Sequence, residues 1–142
     1  MASNPYDAYL ESTILSADPV ELIRIAYKAA LDAVGQARRC LRQGDIAGRS
    51  RTISRASAIL TELMLAVDRQ SGGPLGRNLV ELYDYMQRRL IEANVEQADS
   101  PLAEVGRLLS TLLEGWMHCQ AAASVPPAYA HSPAEPLGEL VA

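Results

Sequence analysis

Residues 79–94 constrain the fold of this chain more than any other stretch, because they predict one helix that is apolar around most of its circumference. The polar residues recur at helical spacing and form only a narrow stripe, made of Arg77, Glu81, Asp84 and Arg88. Apolar side chains fill both flanks of the stripe: Leu79, Leu82, Tyr83, Tyr85, Met86 and Leu90. Two apolar flanks need more than one neighbour. Other helices of the same bundle or a binding partner must supply that cover.

Length and composition restrict the class of protein. A chain of 142 residues is long enough for one domain with a single core. Its formal net charge of −4 gives no general attraction to nucleic acid. No apolar run approaches the roughly 18 residues that cross a bilayer, so membrane insertion is not expected. Because the N-terminus lacks the features of a signal peptide, we expect a cytoplasmic protein whose two cysteines, Cys40 and Cys119, are buried and reduced.

Prolines and glycines divide the chain into four predicted helices. Proline is tolerated at the start of a helix and not deeper, so Asp18-Pro19, Pro74 and Asp99-Ser100-Pro101 indicate helix starts. Gly44 is able to adopt the left-handed cap that ends the first helix. The predicted helices span 18 to about 41, 46 to 67, 74 to 94 and 99 to 122. This pattern predicts an all-α, antiparallel up-down four-helix bundle at 18–122, with an N-terminal arm at 1–17 and a Pro/Ala-rich disordered tail at 123–142.

The four predicted helices are not equally apolar. The second has a narrow apolar stripe opposite a broad charged face, which is typical of a surface helix. The first and third confine their charges to a few positions and are apolar elsewhere. A bundle helix buries about three positions in seven, so these two carry more apolar surface than their neighbours cover. The excess predicts an exposed groove, and the apolar arm is its nearest occupant.

Signals of catalysis are sparse. The sequence has no Gly-rich phosphate loop, no nucleophile elbow and only two histidines, so we expect no catalytic residue, no metal and no cofactor. Two alternatives remain open beside the simpler interpretation of a solvated polar surface. Glu114, His118 and Cys119 are close enough on the fourth helix to share a metal, and an arginine cluster has the charge to contact nucleic-acid phosphates. The cluster consists of Arg38, Arg39, Arg42, Arg49, Arg51 and Arg55.

Several blocks of the sequence resemble the FliS family of flagellar export chaperones. They are Asn4-Pro5-Tyr6-x-x-Tyr9, the helix start from Ser16 to Leu22 followed by Tyr27, the block from Gly72 to Leu79, the block from Leu82 to Asn94, and Leu109, Leu112 and Trp116 of the fourth helix. Each block alone is weak, but their order and spacing from Asn4 to about Trp116 make the resemblance specific. The family usually has Asp-Gly where this chain has Lys28-Ala29, a departure that concerns one local contact and not the fold.

The resemblance implies a cytosolic chaperone, not an enzyme, that uses no cofactor and binds the C-terminal segment of newly made flagellin. Apolar grooves of the bundle hold that segment and prevent premature polymerisation. The loaded complex docks on the export gate of the flagellar type III apparatus. We expect a monomer or a weak homodimer when no client is bound. The alternative is a homodimerising helical-bundle adaptor with no flagellin client, whose excess apolar face is its own interface.

The apolar excess and the resemblance together predict that the partner lies along the first and third helices, after displacing the arm. The expected partner-binding residues of the arm are Tyr6, Tyr9, Leu10 and Ile14. Those of the bundle are Leu22, Ile23, Tyr27, Leu79, Leu82, Tyr83, Met86 and Leu90. Tyr83 and Tyr85 point in nearly opposite directions on a helix, so one of them should line the surface or a groove.

Overall fold

A computed structural model describes residues 19–70 and 73–123. It contains four helices: α1 Pro19–Gln43, α2 Ile46–Gln70, α3 Pro74–Glu96 and α4 Asp99–Ala123. The predicted all-α fold is confirmed, and the four helices begin where the sequence indicated, although each ends slightly later than predicted. The predictions of an arm at 1–17 and of a disordered tail concern residues that lie, apart from Ala123, outside the described ranges.

Gly44 connects α1 to α2 as predicted. Its φ of 74° lies in the left-handed region that glycine enters without a steric penalty. The backbone N–H of Gly44 donates to the Leu41 carbonyl at 3.2 Å, and that of Asp45 donates to the Cys40 carbonyl at 2.9 Å. This pair of bonds is a Schellman motif. Asp45 then caps α2, because its side chain accepts the N–H of Gly48 at 3.0 Å.

The end of α3 has the same kind of cap without a glycine. Gln97 adopts φ 53° and ψ 46°, and its N–H donates to the Ala93 carbonyl. The N–H of Ala98 also donates to Ala93, at 3.2 Å. A residue with a Cβ is disfavoured in this conformation. The absence of a glycine here explains why the sequence pattern ended α3 too early, near Asn94.

Each helix packs against the next one in the chain, and α4 packs back against α1. Arg38 donates from Nε and Nη2 to the two carboxylate oxygens of Asp99, at 2.7 and 2.8 Å, and so joins α1 to α4. Arg49 Nε donates to Asn94 Oδ1 at 2.9 Å and joins α2 to α3. These contacts lie at one end of an up-down bundle, which we call the far end. The opposite end, where Pro19 opens α1, is called the N-terminal end.

The core lies between the four helices, and each helix contributes one buried row. The contribution of α1 consists mainly of alanines, which allow close approach of its neighbours, whereas larger side chains come from the other helices. The buried apolar residues are Tyr27, Ala30, Ala33, Val34 and Ala37 of α1, Ile53, Ala56, Leu60 and Leu63 of α2, Tyr83, Met86, Leu90 and Ala93 of α3, and Leu102, Val105 and Leu109 of α4.

The two cysteines are at opposite ends of the bundle and both are free. Cys40 is half-buried beside Gly48, where an added Cβ would lie 2.9 Å from its sulfur. Cys119 is exposed on α4. The expectation of two buried thiols was therefore wrong, because the polar face of α4 includes Cys119.

Candidate functional site: an apolar pocket at the N-terminal end

Exposed apolar side chains lie at both ends of the bundle, with Ile46, Ile91 and Val95 at the far end and four others at the N-terminal end. Val20, Leu65, Leu75 and Met117 come from four different helices, and all four are between 40% and 69% exposed. Val20, Leu65, Leu75 and Met117 lie in the first turns of α1 and α3 and in the last two turns of α2 and α4, which meet at this end in an up-down bundle. Contiguous exposed apolar surface marks a candidate binding surface.

A pocket of about 200 Å³ opens at the same end. It is lined almost entirely by apolar side chains, and every helix contributes to its wall. The lining residues are Ile23 and Tyr27 of α1, Leu63, Ala66 and Val67 of α2, Leu75, Leu79 and Tyr83 of α3, and Trp116 of α4. The three residues from α3 are spaced four apart, so they form one row along a single face of that helix.

Two tyrosines line the pocket where it meets the core. Tyr27 and Tyr83 are only 4% and 2% exposed, and their hydroxyl oxygens are 2.6 Å apart in a hydrogen bond. Because α1 and α3 are diagonal partners in the bundle, this bond crosses its centre. Burial raises the pKa of Tyr27, and burial together with the hydrogen bond raises the pKa of Tyr83 far above its usual range. Both hydroxyls are therefore neutral and keep their hydrogens for donation.

Trp116 lines the pocket and carries a buried polar atom. Its indole Nε1 atom is buried, and among the described residues it is the one buried side-chain nitrogen or oxygen without a hydrogen-bond partner. Buried donors in folded proteins are nearly always paired. Because its accessible surface is below 1 Å², the nitrogen does not itself open into the pocket.

Four of the predicted partner-binding residues line this pocket: Ile23, Tyr27, Leu79 and Tyr83. Leu22 and Leu82 are half-buried. Met86 and Leu90 have no exposed surface, so the structure gives them a place in the core beneath the pocket. Their role as partner contacts stays a prediction, and a partner does not reach them in this conformation. Tyr6, Tyr9, Leu10 and Ile14 lie outside the described residues.

The two neighbouring tyrosines of α3 have opposite environments, as the helical spacing required. Tyr83 points into the bundle, whereas Tyr85 is half-buried on the seam between α3 and α4. The Tyr85 hydroxyl donates to Glu104 Oε2 at 2.7 Å, and this bond raises the pKa of Tyr85. Arg89 Nε holds the other oxygen of the same carboxylate at 2.6 Å.

Sequence reasoning missed five of the lining residues. Leu63 and Val67 were assigned to the apolar stripe of the second helix, and Trp116 was not among the expected partner contacts. Leu75, at 69% exposure, follows Pro74 at the first turn of α3, outside the strongly periodic stretch. The fifth residue, Ala66, is too small to be noticed in a hydrophobic pattern. Their common signal was position, since all lie in helix turns that the up-down topology brings to one end.

Other candidate sites have less to support them. Within the described ranges no three His, Cys, Asp or Glu side chains are grouped to hold a metal, so Glu114, His118 and Cys119 are not joined in one site. Two members of the arginine cluster are engaged elsewhere, Arg38 with Asp99 and Arg49 with Asn94. No helix in the described part of the chain has both the length and the hydropathy needed to cross a membrane.

Comparison with known proteins gives a consistent result. A family model described as "Flagellar protein FliS" matches residues 2–123. The chain is 38% identical over 116 residues to the flagellar secretion chaperone FliS of Salmonella typhimurium, which is 81% of this chain and 86% of that protein. It is 36% identical over 107 residues to the flagellar secretion chaperone FliSB of Pseudomonas aeruginosa, which is 75% of this chain and 85% of that protein. It is 29% identical over 113 residues to the flagellar secretion chaperone FliS of Bacillus subtilis, which is 80% of this chain and 84% of that protein.

Proposed function

The chain belongs to the FliS family of flagellar proteins, and from this membership we propose that it is a cytoplasmic secretion chaperone whose client is the C-terminal segment of flagellin. The chaperone keeps this segment from polymerising and delivers it to the flagellar type III export apparatus. The relatives are named as flagellar secretion chaperones, which supports the role. The identity of the client and its delivery are the parts of the proposal that need experiment.

The apolar pocket at the N-terminal end is the observation that carries the proposal. At about 200 Å³ it is smaller than the roughly 300–1,000 Å³ of pockets that enclose a drug-sized ligand. It therefore suits one or two side chains of a longer segment rather than a complete small molecule. Leu75, which is 69% exposed, extends the contact surface beyond the pocket. This arrangement suits an amphipathic helix that inserts an anchor side chain and lays its apolar face on the rim.

The N-terminal arm enters the proposal as a gate. Residues 1–18 precede Pro19, which opens α1 at the same end of the bundle as the pocket. We take Tyr6, Tyr9, Leu10 and Ile14 to cover the pocket when no client is bound and to leave it when the client arrives. A client that must displace the arm binds less tightly than one that meets an open pocket, because the arm contacts are lost.

Calorimetric titration with a peptide covering the C-terminal segment of the host's flagellin tests the proposal. Leu75→Ser and Ile91→Ser form a matched pair, because both replace an exposed aliphatic side chain on α3, 69% and 61% exposed, at opposite ends of the bundle. We expect Leu75→Ser to weaken binding about tenfold, the scale of a hot-spot contact, and Ile91→Ser to leave it unchanged. Equal effects of the two changes would remove the pocket from the proposal. Failure of the native chain to bind the peptide would exclude the C-terminal segment of flagellin as the client.

Sedimentation separates this function from a homodimerising adaptor. The chaperone should sediment as a monomer or in a weak monomer–dimer equilibrium, and it should form a one-to-one complex when the peptide is added. A stable dimer that the peptide neither binds nor dissociates would favour the adaptor.

A further inference from the structure

A groove of about 510 Å³ lies between α1 and α4. It shares no lining residue with the pocket at the N-terminal end. We propose that this groove is a docking surface for the C-terminal tail of the same chain, and that residues 135–140 of the tail occupy it. The inference does not depend on the flagellin client, because the groove and its occupant both belong to this chain.

The groove combines an apolar floor with a polar edge. The lining residues are Leu31, Val34, Gly35 and Arg38 of α1, and Ala103, Gly106, Arg107, Ser110 and Thr111 of α4. The apolar members are buried or half-buried, whereas Arg107, Ser110 and Thr111 are exposed. A segment in the groove would therefore meet apolar side chains below it and hydrogen-bond donors along the edge formed by α4.

Two glycines in the interior of the helices leave room along this seam. A glycine in a helix interior costs about 1 kcal/mol relative to alanine. A Cβ added at Gly106 would lie 3.8 Å from Val34, and one added at Gly35 would lie 3.7 Å from Arg39, both at ordinary contact distance. Packing within the bundle therefore does not require a glycine at either position. The space that the two residues leave is available to an occupant.

The charge of the lining is positive. Arg38 and Arg107 line the groove, and no acidic residue does. Arg38 already bonds to Asp99 through Nε and Nη2. Arg107 makes no hydrogen bond or ion pair with another described residue, since Glu104, the acidic residue nearest to it along α4, bonds to Tyr85 and Arg89 instead. The groove thus has one guanidinium free to hold a carboxylate.

The tail, residues 124–142, lies outside the described ranges, and its sequence has the complementary character. It contains no Lys or Arg and two carboxylates, Glu135 and Glu139. Leu137 and Leu140 alternate with them, so residues 135–140 combine apolar and acidic side chains. The leucines match the apolar floor of the groove, and the carboxylates match the donors along its edge.

The tail is long enough to reach the groove. Measured along α4 at about 1.5 Å per residue, the lining residues of that helix lie about 18 to 30 Å from its end at Ala123. Residues 124–134 span up to about 35 Å when extended at about 3.3 Å per residue. The acidic segment therefore reaches the groove when the tail turns back along α4. Because the tail is tethered at a local concentration on the order of millimolar, a contact of millimolar affinity is formed in about half of the molecules.

The apolar pocket is nearer to the end of α4, but its chemistry suits the tail less well. No charged side chain lines the pocket. Leucines of residues 135–140 inserted there would bring the neighbouring carboxylates toward an apolar surface without a lysine or an arginine to meet them, which is unfavourable. The groove accepts both kinds of side chain.

Paramagnetic relaxation in the full-length chain tests the proposal without any flagellin peptide. A nitroxide is attached through Ala134→Cys, beside the acidic segment, in a chain where Cys40→Ser and Cys119→Ser remove the two free thiols. The backbone amides of the two glycines report on the two walls of the groove, and the indole N–H of the single tryptophan reports on the pocket. We expect the nitroxide to broaden both glycine amides more strongly than the indole.

Charge substitutions separate a specific contact from mere tethering. Arg107→Glu should lower the relaxation enhancement at the two glycine amides about threefold to fivefold, the scale of exposed ion pairs. Adding Glu135→Lys and Glu139→Lys to that variant should restore the enhancement. Arg51→Glu is the matched control, because Arg51 is an exposed arginine that does not line the groove, and it should leave the enhancement unchanged.

Three results would overturn the inference. Glycine amides that are as sharp with the nitroxide as after its reduction would show that the tail does not dock. Stronger broadening of the indole would place the tail at the pocket. Equal effects of Arg107→Glu and Arg51→Glu would show that tethering alone brings the tail near the groove. The first two results need no charge variant, so a variant that folds poorly does not decide the outcome, and the proposed function is tested separately by the peptide titration.

Discussion

Replacing Tyr27 and Tyr83 by Phe, singly and together, measures how much the hydrogen bond across the centre of the bundle stabilises the fold. Each single replacement removes the bond and leaves the other hydroxyl buried without its partner, with the ring at most 4% exposed. A buried polar group left in this state costs about 1–3 kcal/mol. The double replacement removes both hydroxyls and leaves two apolar rings, a change that is often nearly neutral.

The expected signature is a strong departure from additivity. If each single variant loses about 2 kcal/mol and the double variant loses about 1 kcal/mol, the coupling energy is about 3 kcal/mol, at the upper end for residues in direct contact. Urea unfolding followed by far-UV circular dichroism gives the four free energies of unfolding that the cycle needs. Tyr85→Phe, whose hydroxyl lies at a half-buried seam, serves as the control and should cost less than either single variant.

The pH dependence of the same pair has a definite sign. Both pKa values are raised by burial above the usual value of 10.0. Below about pH 10 the hydroxyls are neutral in the folded and the unfolded chain, so their contribution to stability is constant. As the pH rises further, the unfolded chain ionises first and the free energy of unfolding falls. The double Phe variant should lose stability less steeply in this range. Additive single effects together with equal alkaline slopes would refute the view that these hydroxyls form a buried, coupled pair.

Three further predictions concern other parts of the chain. Gln97→Gly should raise the free energy of unfolding by about 0.5–1 kcal/mol, because glycine adopts the left-handed cap of α3 without strain, and Gln97→Ala should not. The hydrogen bond from Arg38 lowers the Asp99 pKa below 3.8, so ionised Asp99 stabilises the native chain above about pH 4 and this stabilisation is lost as the pH falls. Asp99→Asn should therefore make the free energy of unfolding less dependent on pH in acid. Urea unfolding across about pH 2–7 would measure this difference. Removal of residues 1–15 should raise the calorimetric affinity for the flagellin peptide if the arm covers the pocket, and an unchanged affinity would exclude the arm as gate and as contact.

Local chemistry made much of this fold predictable, because helix boundaries depend on a few residues with strong backbone preferences. Pro19, Pro74 and Gly44 occur where the structure requires a first turn or a left-handed cap. The end of α3 was missed because Gln97 adopts the left-handed cap although it is not a glycine. A sequence pattern does not indicate such a cap.

The site was predictable only in part, because a pocket is a property of four helices together. The periodicity of α3 showed that Tyr83 and Tyr85 face opposite ways, but it did not determine which one is buried. Tyr83 is the buried one, and its hydroxyl meets that of Tyr27 on α1, a contact between distant parts of the chain that periodicity does not reveal. Trp116 and Leu75 were not foreseen as neighbours because they lie in the second half of α4 and at the start of α3, and only the antiparallel order brings them to one cavity.

The closure of α4 against α1 also decides where attachments to this protein are held. Since these neighbours run in opposite directions, Pro19 and Ala123 lie at the same end of the bundle, beside the pocket. A peptide joined directly to either of these helix ends through a short flexible linker is consequently tethered near the cavity at a local concentration on the order of millimolar. Even a feeble ligand presented in this way would compete with a free one. A purification tag or reporter placed there would therefore compete with the ligand in an affinity measurement. Exposed side chains of the far end, such as Ile91, are better positions for a probe.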